Sequence, residues 1–392
     1  MSSKLIFAER MSRVGTETAF EVVAMAKEME KKGVDIVHLE IGEPDFDTPN
    51  HIKNEAVKAL KEGFTHYTPA PGILELRESI ASHLEEKFGA DINPNDEVLV
   101  MPGAKPGLFT GILSIIDPGD EVIMQNPSFP IYESVVRLVN GKPIPIQLRE
   151  ENDFRLNPED VRRKISEKTK MIILNSPHNP CGSSLLKKEI KELAEIAREN
   201  DLWIMSDEIY SDIIYDEEHH SMLSEPEMKD RTILIHGFSK SYAMTGWRLG
   251  YAIGNPEIIS RMTKLQININ SCATAFIQKA AIKALNGPQD CVVEMVGEYK
   301  RRRDAIVKGL NRIKGFNCKT PTGAFYVFPN IKKLGMKSRD LMQYLLNDAH
   351  VAGLHGDAFG IYGTGYMRFS YATSLENIME GIERVKKAIE KI

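Results

Sequence analysis

Several signatures that would assign this 392-residue chain to a functional class are missing from its sequence. It has 4 cysteines, and Cys181, Cys272, Cys291 and Cys318 form no C-x-x-C pair. Cysteines so far apart favour reduced thiols in a reducing compartment, which predicts a cytoplasmic protein rather than a disulfide framework. The net charge is only −5 and no basic tract occurs, so nothing predicts binding to nucleic acid.

Other cofactor and targeting signals are absent too. The first ten residues, MSSKLIFAER, predict neither a secretory signal nor a membrane helix. There is no G-x-x-x-x-G-K-[ST] phosphate loop, no G-x-G-x-x-G opening a helix, and neither H-E-x-x-H nor G-x-S-x-G. His219 and His220 lie in an acidic loop, and we predict no metal there. Nucleotide and nicotinamide chemistry therefore lose their main support.

The sequence does contain a repeated alternation of short apolar runs with helical patterns. Strands are predicted near residues 97–101, 121–125, 143–147, 170–174, 202–206, 232–237 and 249–253, with helices between them. This βαβ rhythm predicts a mostly parallel sheet covered by helices on both faces. Long helices follow up to residue 310, and residues 317–392 alternate short strands and helices, which predicts a smaller second domain.

The most informative stretch is GFSKSYAMTGWR, residues 237–248. It places Lys240 just past an apolar strand and Arg248 eight residues further on. An amine with a lowered pKa can form a Schiff base with an aldehyde cofactor, and a guanidinium can hold a phosphate with two hydrogen bonds.

Two upstream motifs carry polar groups at the ends of predicted strands. Asn175 opens NSPHNPCG and Asp207 lies in SDEIY, which also contains Tyr210. Ligands of open α/β sheets bind at the carboxyl ends of the strands. Three successive strands therefore bring an Asn, an Asp with a Tyr, and a Lys to one crevice.

With these motifs in this order, the chain resembles the pyridoxal-phosphate (PLP) aminotransferases of fold type I, class I/II. The matching pieces extend from IGEPDF (41–46) to MRFS (367–370). The resemblance implies an N-terminal arm with part of a small domain (1–45), a large PLP-binding domain (46–285) and a small C-terminal domain (286–392). It also implies transfer of an amino group from an L-amino acid to a 2-oxo acid, with no metal.

The family pattern implies a role for each matching residue around the cofactor ring. Lys240 would form the Schiff base and then move a proton. Asp207 would keep the ring nitrogen protonated, since an opposite charge favours the charged form. Asn179 and Tyr210 would hydrogen-bond the phenolic oxygen, and Phe129 would stack on the ring.

The phosphate is expected in a cradle at a helix start. The loop that begins at Gly103 would bind it through the backbone amides of Ala104 and Lys105, together with Arg248. Many relatives carry a further hydroxyl three residues before the lysine, where this chain has Gly237. Ser239 is the candidate replacement, and Ser241 is a second possibility.

The resemblance also implies how substrate and subunits are held. Arg368 would clamp the substrate carboxylate with two parallel hydrogen bonds, assisted by Gly42 and Asn175. Tyr67 would reach the phosphate of a neighbouring subunit, which predicts a homodimer with shared active sites.

The amino donor is less well determined. Lys105 is a candidate cation for a side-chain carboxylate, which favours aspartate as donor and 2-oxoglutarate as acceptor. However, the aspartate enzymes with such a lysine carry a Ser/Thr pair before their first helix, where this chain has Glu17 and Thr18. Cys181 also replaces a small hydroxyl residue. Alanine, aromatic or kynurenine-type donors, a PLP-dependent carbon–sulfur lyase or decarboxylating enzyme, and a non-catalytic PLP-binding domain remain alternatives. Product analysis separates the enzymes, since a lyase releases pyruvate, ammonia and thiol.

Overall fold

The structure is a computed structural model that describes residues 7–392. Its strands are β1 (Val37–His38), β2 (Val98–Met101), β3 (Glu121–Asn126), β4 (Lys142–Gln147), β5 (Thr169–Asn175), β6 (Trp203–Asp207), β7 (Thr232–Gly237), β8 (Gly250–Ile253), β9 (Tyr326–Val327), β10 (Val351–Ala352), β11 (Leu354–His355) and β12 (Met367–Ser370). Its α-helices are α1 (Thr18–Glu30), α2 (Asn50–Lys61), α3 (Leu74–Phe88), α4 (Lys105–Ile115), α5 (Ile131–Leu138), α6 (Pro158–Arg162), α7 (Lys187–Glu199), α8 (Pro256–Asn270), α9 (Ala275–Asn286), α10 (Asp290–Leu310), α11 (Ser338–Asp348) and α12 (Leu375–Ile389).

Seven of the strands form one large sheet in the order β2-β8-β7-β6-β5-β3-β4. The pairs from β7 to β4 are parallel, while β8 runs antiparallel to both β2 and β7. The predicted mostly parallel sheet is therefore confirmed, with one reversed strand near its edge. The strand order also makes β5, β6 and β7 direct neighbours, as the three motifs require.

Both faces of this sheet are buried, because alternate residues of each central strand point to opposite sides. In β7, Ile233 and Ile235 pack in a cluster with residues of α4, α5 and α8, and Leu234 packs in a second cluster with residues of α2, α3 and α9. Ile172 of β5 and Ile204 of β6 pack in a third cluster that includes α7. Strands covered on both faces explain why the strand segments are almost continuously apolar.

The C-terminal part of the chain forms two further small sheets. One has the antiparallel order β11-β12-β9, and the other pairs β1 with β10 in parallel. Helix α12 packs on α10 and on β1. Residues 37–38 thus join the C-terminal elements, while the division at residues 45 and 285 stays a prediction. Across residues 7–392, no helix is both long and apolar enough to cross a membrane.

Candidate active site

The polar motifs meet at the carboxyl edge of the large sheet. Asn175 and Asp207 are the last residues of β5 and β6 and pair directly in the parallel register. Lys240 follows three residues after the end of β7. The side chain of Asn175 donates to the backbone oxygen of Asp207 at 3.0 Å and accepts from the backbone N–H of Asn179 at 2.8 Å. Asn175 therefore ties the two strand ends and the following loop together.

A cavity of about 540 Å³ opens at this edge. Its size suits a small ligand with a cofactor. All the predicted site residues except Gly103 and Tyr67 line it: Gly42, Ala104, Lys105, Phe129, Asn175, Asn179, Asp207, Tyr210, Ser239, Lys240, Arg248 and Arg368. The structure thus brings together residues from across the chain, and their individual roles stay predictions.

The amine of Lys240 lies inside this cavity and donates to the backbone oxygen of Gly42 at 2.6 Å. Burial lowers the pKa of this amine to about 8, and Lys105, Arg368 and Arg248 act in the same direction by charge repulsion. A lysine of ordinary pKa would be protonated and unreactive at neutral pH. Lys240 therefore has a substantial neutral fraction and is suited to nucleophilic attack.

The carboxylate of Asp207 is held in a fixed orientation. One oxygen accepts from the hydroxyl of Tyr132 at 2.7 Å, and the other accepts from the backbone N–H of Ile209 at 3.3 Å. Burial raises the pKa of Asp207 to about 6, although both hydrogen bonds oppose the rise. Because the ionised carboxylate is poorly compensated, it would interact strongly with a cation placed beside it. Sequence reasoning missed Tyr132, which lies 75 residues away in the chain.

Arg368 lies on β12 and is buried against the other side of the cavity. It donates to the side-chain oxygen of Asn179 at 3.0 Å and to the backbone oxygen of Glu40. Its guanidinium stacks over the ring of Tyr326 at 4.5 Å and over that of Phe359 at 4.9 Å. Burial lowers its pKa, and its Nε is a buried donor without a partner among the described residues. A buried cation with an unused donor fits a bound carboxylate.

A second cationic corner lies at the start of α4. Gly103 has φ +94°, and a Cβ there would come within 2.2 Å of Arg248 Nη2. The positive φ disfavours a side chain at position 103, and a Cβ there would also force the Arg248 guanidinium to move. The N-terminus of α4 has no side-chain cap, and its N-cap residue Ala104 lines the cavity. This corner therefore suits a phosphate, because it combines a glycine backbone next to the Arg248 guanidinium with an uncapped helix N-terminus.

The two serines beside Lys240 differ in position. Ser239 lines the cavity, whereas the hydroxyl of Ser241 donates to Asp212. Ser239 is therefore the hydroxyl available to a ligand. Gly237 cannot carry a hydroxyl, because a Cβ there would lie 2.8 Å from Gly250 Cα across the antiparallel β7–β8 pair.

The hydroxyls of Tyr210 and Tyr326 share a hydrogen bond of 2.8 Å. Tyr326 also explains the glycine at position 42, since a Cβ on Gly42 would lie 1.8 Å from its oxygen. The motif at residues 41–46 must therefore pass close to this tyrosine. Tyr326 was not identified from the sequence, where no polar motif surrounds it.

The mouth of the cavity carries an ion pair that the sequence does not reveal. Lys105 contacts the carboxylate of Glu17, the residue before α1, and its amine lies 5.2 Å from the ring centroid of Phe129. Three further residues of this first helix region also line the cavity, namely Ala19, Phe20 and Val23. This part of the cavity lining is thus mostly apolar, and its one cation, Lys105, is paired with a carboxylate.

Two predicted features lie elsewhere or remain open. Tyr67 is 89% exposed and lies outside the cavity of its own chain, so its predicted contact with another subunit stays a prediction. Among residues 7–392, no three His, Cys, Asp or Glu side chains gather as a metal site. Instead, His219 pairs with the buried carboxylate of Glu208 at 2.8 Å.

Comparisons with known proteins agree with this geometry. The profile of the family described as aminotransferase class I and II matches residues 34–385, and the chain belongs to that family. It is 44% identical over 360 residues to an aspartate aminotransferase of Pyrococcus abyssi, covering 91% of this chain and 92% of the relative. It is 42% identical to a (5-formylfuran-3-yl)methyl phosphate transaminase of Methanocaldococcus jannaschii, covering 98% of this chain and 100% of the relative.

Solved structures lead to the same family. An aromatic aminotransferase of Pyrococcus horikoshii superimposes with a TM-score of 0.90 at 42% identity, covering 93% of this chain and 99% of the other. The chain is thus an aminotransferase with the family's α/β fold. Relatives at nearly equal identity are named for different substrates, so overall similarity does not select the amino donor.

Proposed function

We propose that the chain is a PLP-dependent aminotransferase that moves the amino group of an L-amino acid, with aspartate as donor, to 2-oxoglutarate. The observation that supports PLP chemistry is the buried amine of Lys240, with a pKa near 8, at the edge of the sheet. The residues around it fit the cofactor. The open start of α4 and Arg248 suit its phosphate, and the buried Asp207 suits a protonated ring nitrogen.

Bound PLP supplies the electron sink that stabilises negative charge at the substrate Cα. Asp207 keeps the ring nitrogen protonated, and Tyr132 and Ile209 hold that carboxylate in place. With PLP bound, the amine of Lys240 would hold and move a proton, first as general base toward the substrate Cα and then as general acid. Asn179 and Tyr210 orient the phenolic oxygen of the cofactor.

Two cations that line the cavity would position the substrate. Arg368 takes the α-carboxylate, supported by its unused Nε donor and by the apolar faces of Tyr326 and Phe359. Lys105, which lines the cavity, would take a side-chain carboxylate in place of Glu17, and its charge supports aspartate as donor. The apolar side chains of Phe20, Val23 and Ile41 in the same cavity favour neutral or aromatic donors as the alternative.

The remaining features of the proposal concern assembly and location. The exposed Tyr67 is proposed to complete the site of a partner in a homodimer, and the protein is proposed to act in the cytoplasm.

Kinetics on single amino acids test the proposed donor. The cofactor absorption of the loaded enzyme would be followed with each amino acid alone, and kcat/KM compared for aspartate, alanine and phenylalanine. Lys105→Ala should weaken aspartate selectively, by about 1–3 kcal/mol as for a charged hydrogen bond. Arg368→Ala should weaken all three. A uniform effect of Lys105→Ala, or a wild-type preference for neutral or aromatic donors, would select the alternative.

A further inference from the structure

The Glu17–Lys105 pair gives the cavity a carboxylate of its own. Glu17 is the N-cap residue of α1, but its side chain makes no capping hydrogen bond to that helix. The carboxylate instead reaches into the cavity and contacts the Lys105 amine. The contact joins residues 88 apart in the chain. Glu17 therefore pairs with the same ammonium group that would bind the side-chain carboxylate of a dicarboxylic substrate.

The other charged residues that line the cavity have separate roles in the proposed complex. In the proposed complex Arg248 holds phosphate, Arg368 holds the α-carboxylate, and Asp207 faces the ring. The remaining carboxylate at the mouth, Glu43, accepts a hydrogen bond from Thr245. Among the charged residues that line the cavity, Glu17 and Lys105 form an ion pair, and this pair can respond to the charge of the substrate side chain.

We infer that Glu17 is a specificity-determining residue that lets one cavity accept both neutral and dicarboxylic side chains. This inference rests on the proposed transamination, in which donor and acceptor use the same cavity in turn: aspartate and 2-oxoglutarate are dicarboxylates, whereas the alternative donors alanine and phenylalanine have neutral side chains. With a neutral side chain, Glu17 stays on Lys105, and no bare ammonium faces the apolar lining. With a dicarboxylate, the side-chain carboxylate replaces Glu17 on Lys105.

The exchange is feasible because the pair lies at the mouth. The side chains of Glu17 and Lys105 are 23% and 42% exposed, so the displaced carboxylate can be solvated without crossing the protein. A partly exposed ion pair contributes little net free energy, which permits exchange of one carboxylate for another. Each dicarboxylate must nevertheless compete with Glu17, and this competition lowers its apparent affinity.

Glu17→Gln tests the inference, since glutamine keeps the size of the side chain and removes its charge. The variant should raise kcat/KM for aspartate and glutamate by up to about fivefold, as expected for losing a competing charge of this exposure. The values for alanine and phenylalanine should stay the same or fall. Glu21→Gln is the matched control, because Glu21 lies one turn further along α1, is exposed, and does not line the cavity.

Binding provides a second measurement that does not require turnover. Calorimetry on the loaded wild type, Glu17→Gln and Glu21→Gln would use succinate as dicarboxylate and 3-phenylpropionate as monocarboxylate. Only Glu17→Gln should bind succinate more tightly, with 3-phenylpropionate unchanged or weaker. Equal effects on both ligands, or weaker succinate binding, would overturn the inference. If the wild type transaminates no amino acid, the proposed function fails, while the succinate measurement still decides the role of Glu17.

Discussion

Replacing Asp207 by asparagine should make the cofactor-free protein more stable while removing most of its activity. The reason is that Asp207 is only 5% exposed and its pKa is raised from 3.8 to about 6, chiefly by burial. An asparagine keeps the shape but has no charge to bury; its oxygen can accept from the Ile209 N–H while its NH2 group donates to the hydroxyl oxygen of Tyr132.

The magnitude follows from this difference in pKa. In the unfolded chain the carboxyl group loses its proton near pH 3.8, and in the folded chain near pH 6. The folded state therefore binds more protons between these values, and stability falls as pH rises through this window. At about 1.4 kcal/mol per pKa unit, the ionised carboxylate costs about 3 kcal/mol at pH 7. Asp207→Asn should recover up to this amount at pH 7 and almost nothing below pH 4.

Urea unfolding of the cofactor-free protein at several pH values, at one protein concentration, measures this gain. Tyr132→Phe is the opposing control, because it removes a hydrogen bond from the carboxylate and should lower stability at pH 7. With PLP bound, Asp207→Asn should raise the activation barrier by several kcal/mol, and each 1.4 kcal/mol lowers the rate about tenfold. Asp207→Glu should raise the barrier less. A cofactor-free Asp207→Asn protein less stable than wild type at pH 7, or a gain independent of pH, would refute the reasoning.

Three further predictions concern the cofactor lysine and the shared site. Lys240→Ala should abolish borohydride trapping of PLP on the protein and nearly all turnover, and trapping on another lysine would contradict the assignment. In the wild type, the rate of PLP capture by the cofactor-free chain should rise with pH and level off above about pH 8, since only the neutral amine of Lys240 attacks; a rate independent of pH between 6 and 9 would speak against this pKa. Mixing Lys240→Ala with an inactive Tyr67 variant should restore part of the activity, because one site of the mixed dimer then contains both native residues. No recovery in a demonstrated mixed dimer would place Tyr67 within its own subunit's function or outside the site.

Much of the fold and of the candidate site could be predicted because the relevant signals are local. Apolar runs such as residues 232–235 predict buried strands, and the structure has β7 at Thr232–Gly237. Asn175, Asp207 and Lys240 each stand at or just after a strand end, and parallel neighbours bring such ends together. Each of these signals lies within its own short stretch of about ten residues, so it can be read without knowing the fold.

The contacts that adjust the site depend on distant parts of the chain. Tyr132 reaches Asp207 across 75 residues, Glu17 reaches Lys105 across 88, and Tyr210 meets Tyr326 across 116. No periodicity or motif links such partners, since each contact exists only after distant elements of the chain have packed together. The absence of a hydroxyl at Gly237 has a similar origin, because the close approach of β8 leaves no room for a Cβ.

The sequence by itself thus determined the chemistry available, namely the family, the reactive lysine and the cationic and anionic groups around it. These depend on residue type and on position relative to each strand. The tertiary structure decided how those groups are tuned and paired, because burial, orientation and charge pairing arise only between elements brought together by folding. Three features of the site were decided by the tertiary structure. They are the pKa of Lys240 near 8, the hydrogen bond that orients the carboxylate of Asp207, and the pairing of Lys105 with Glu17.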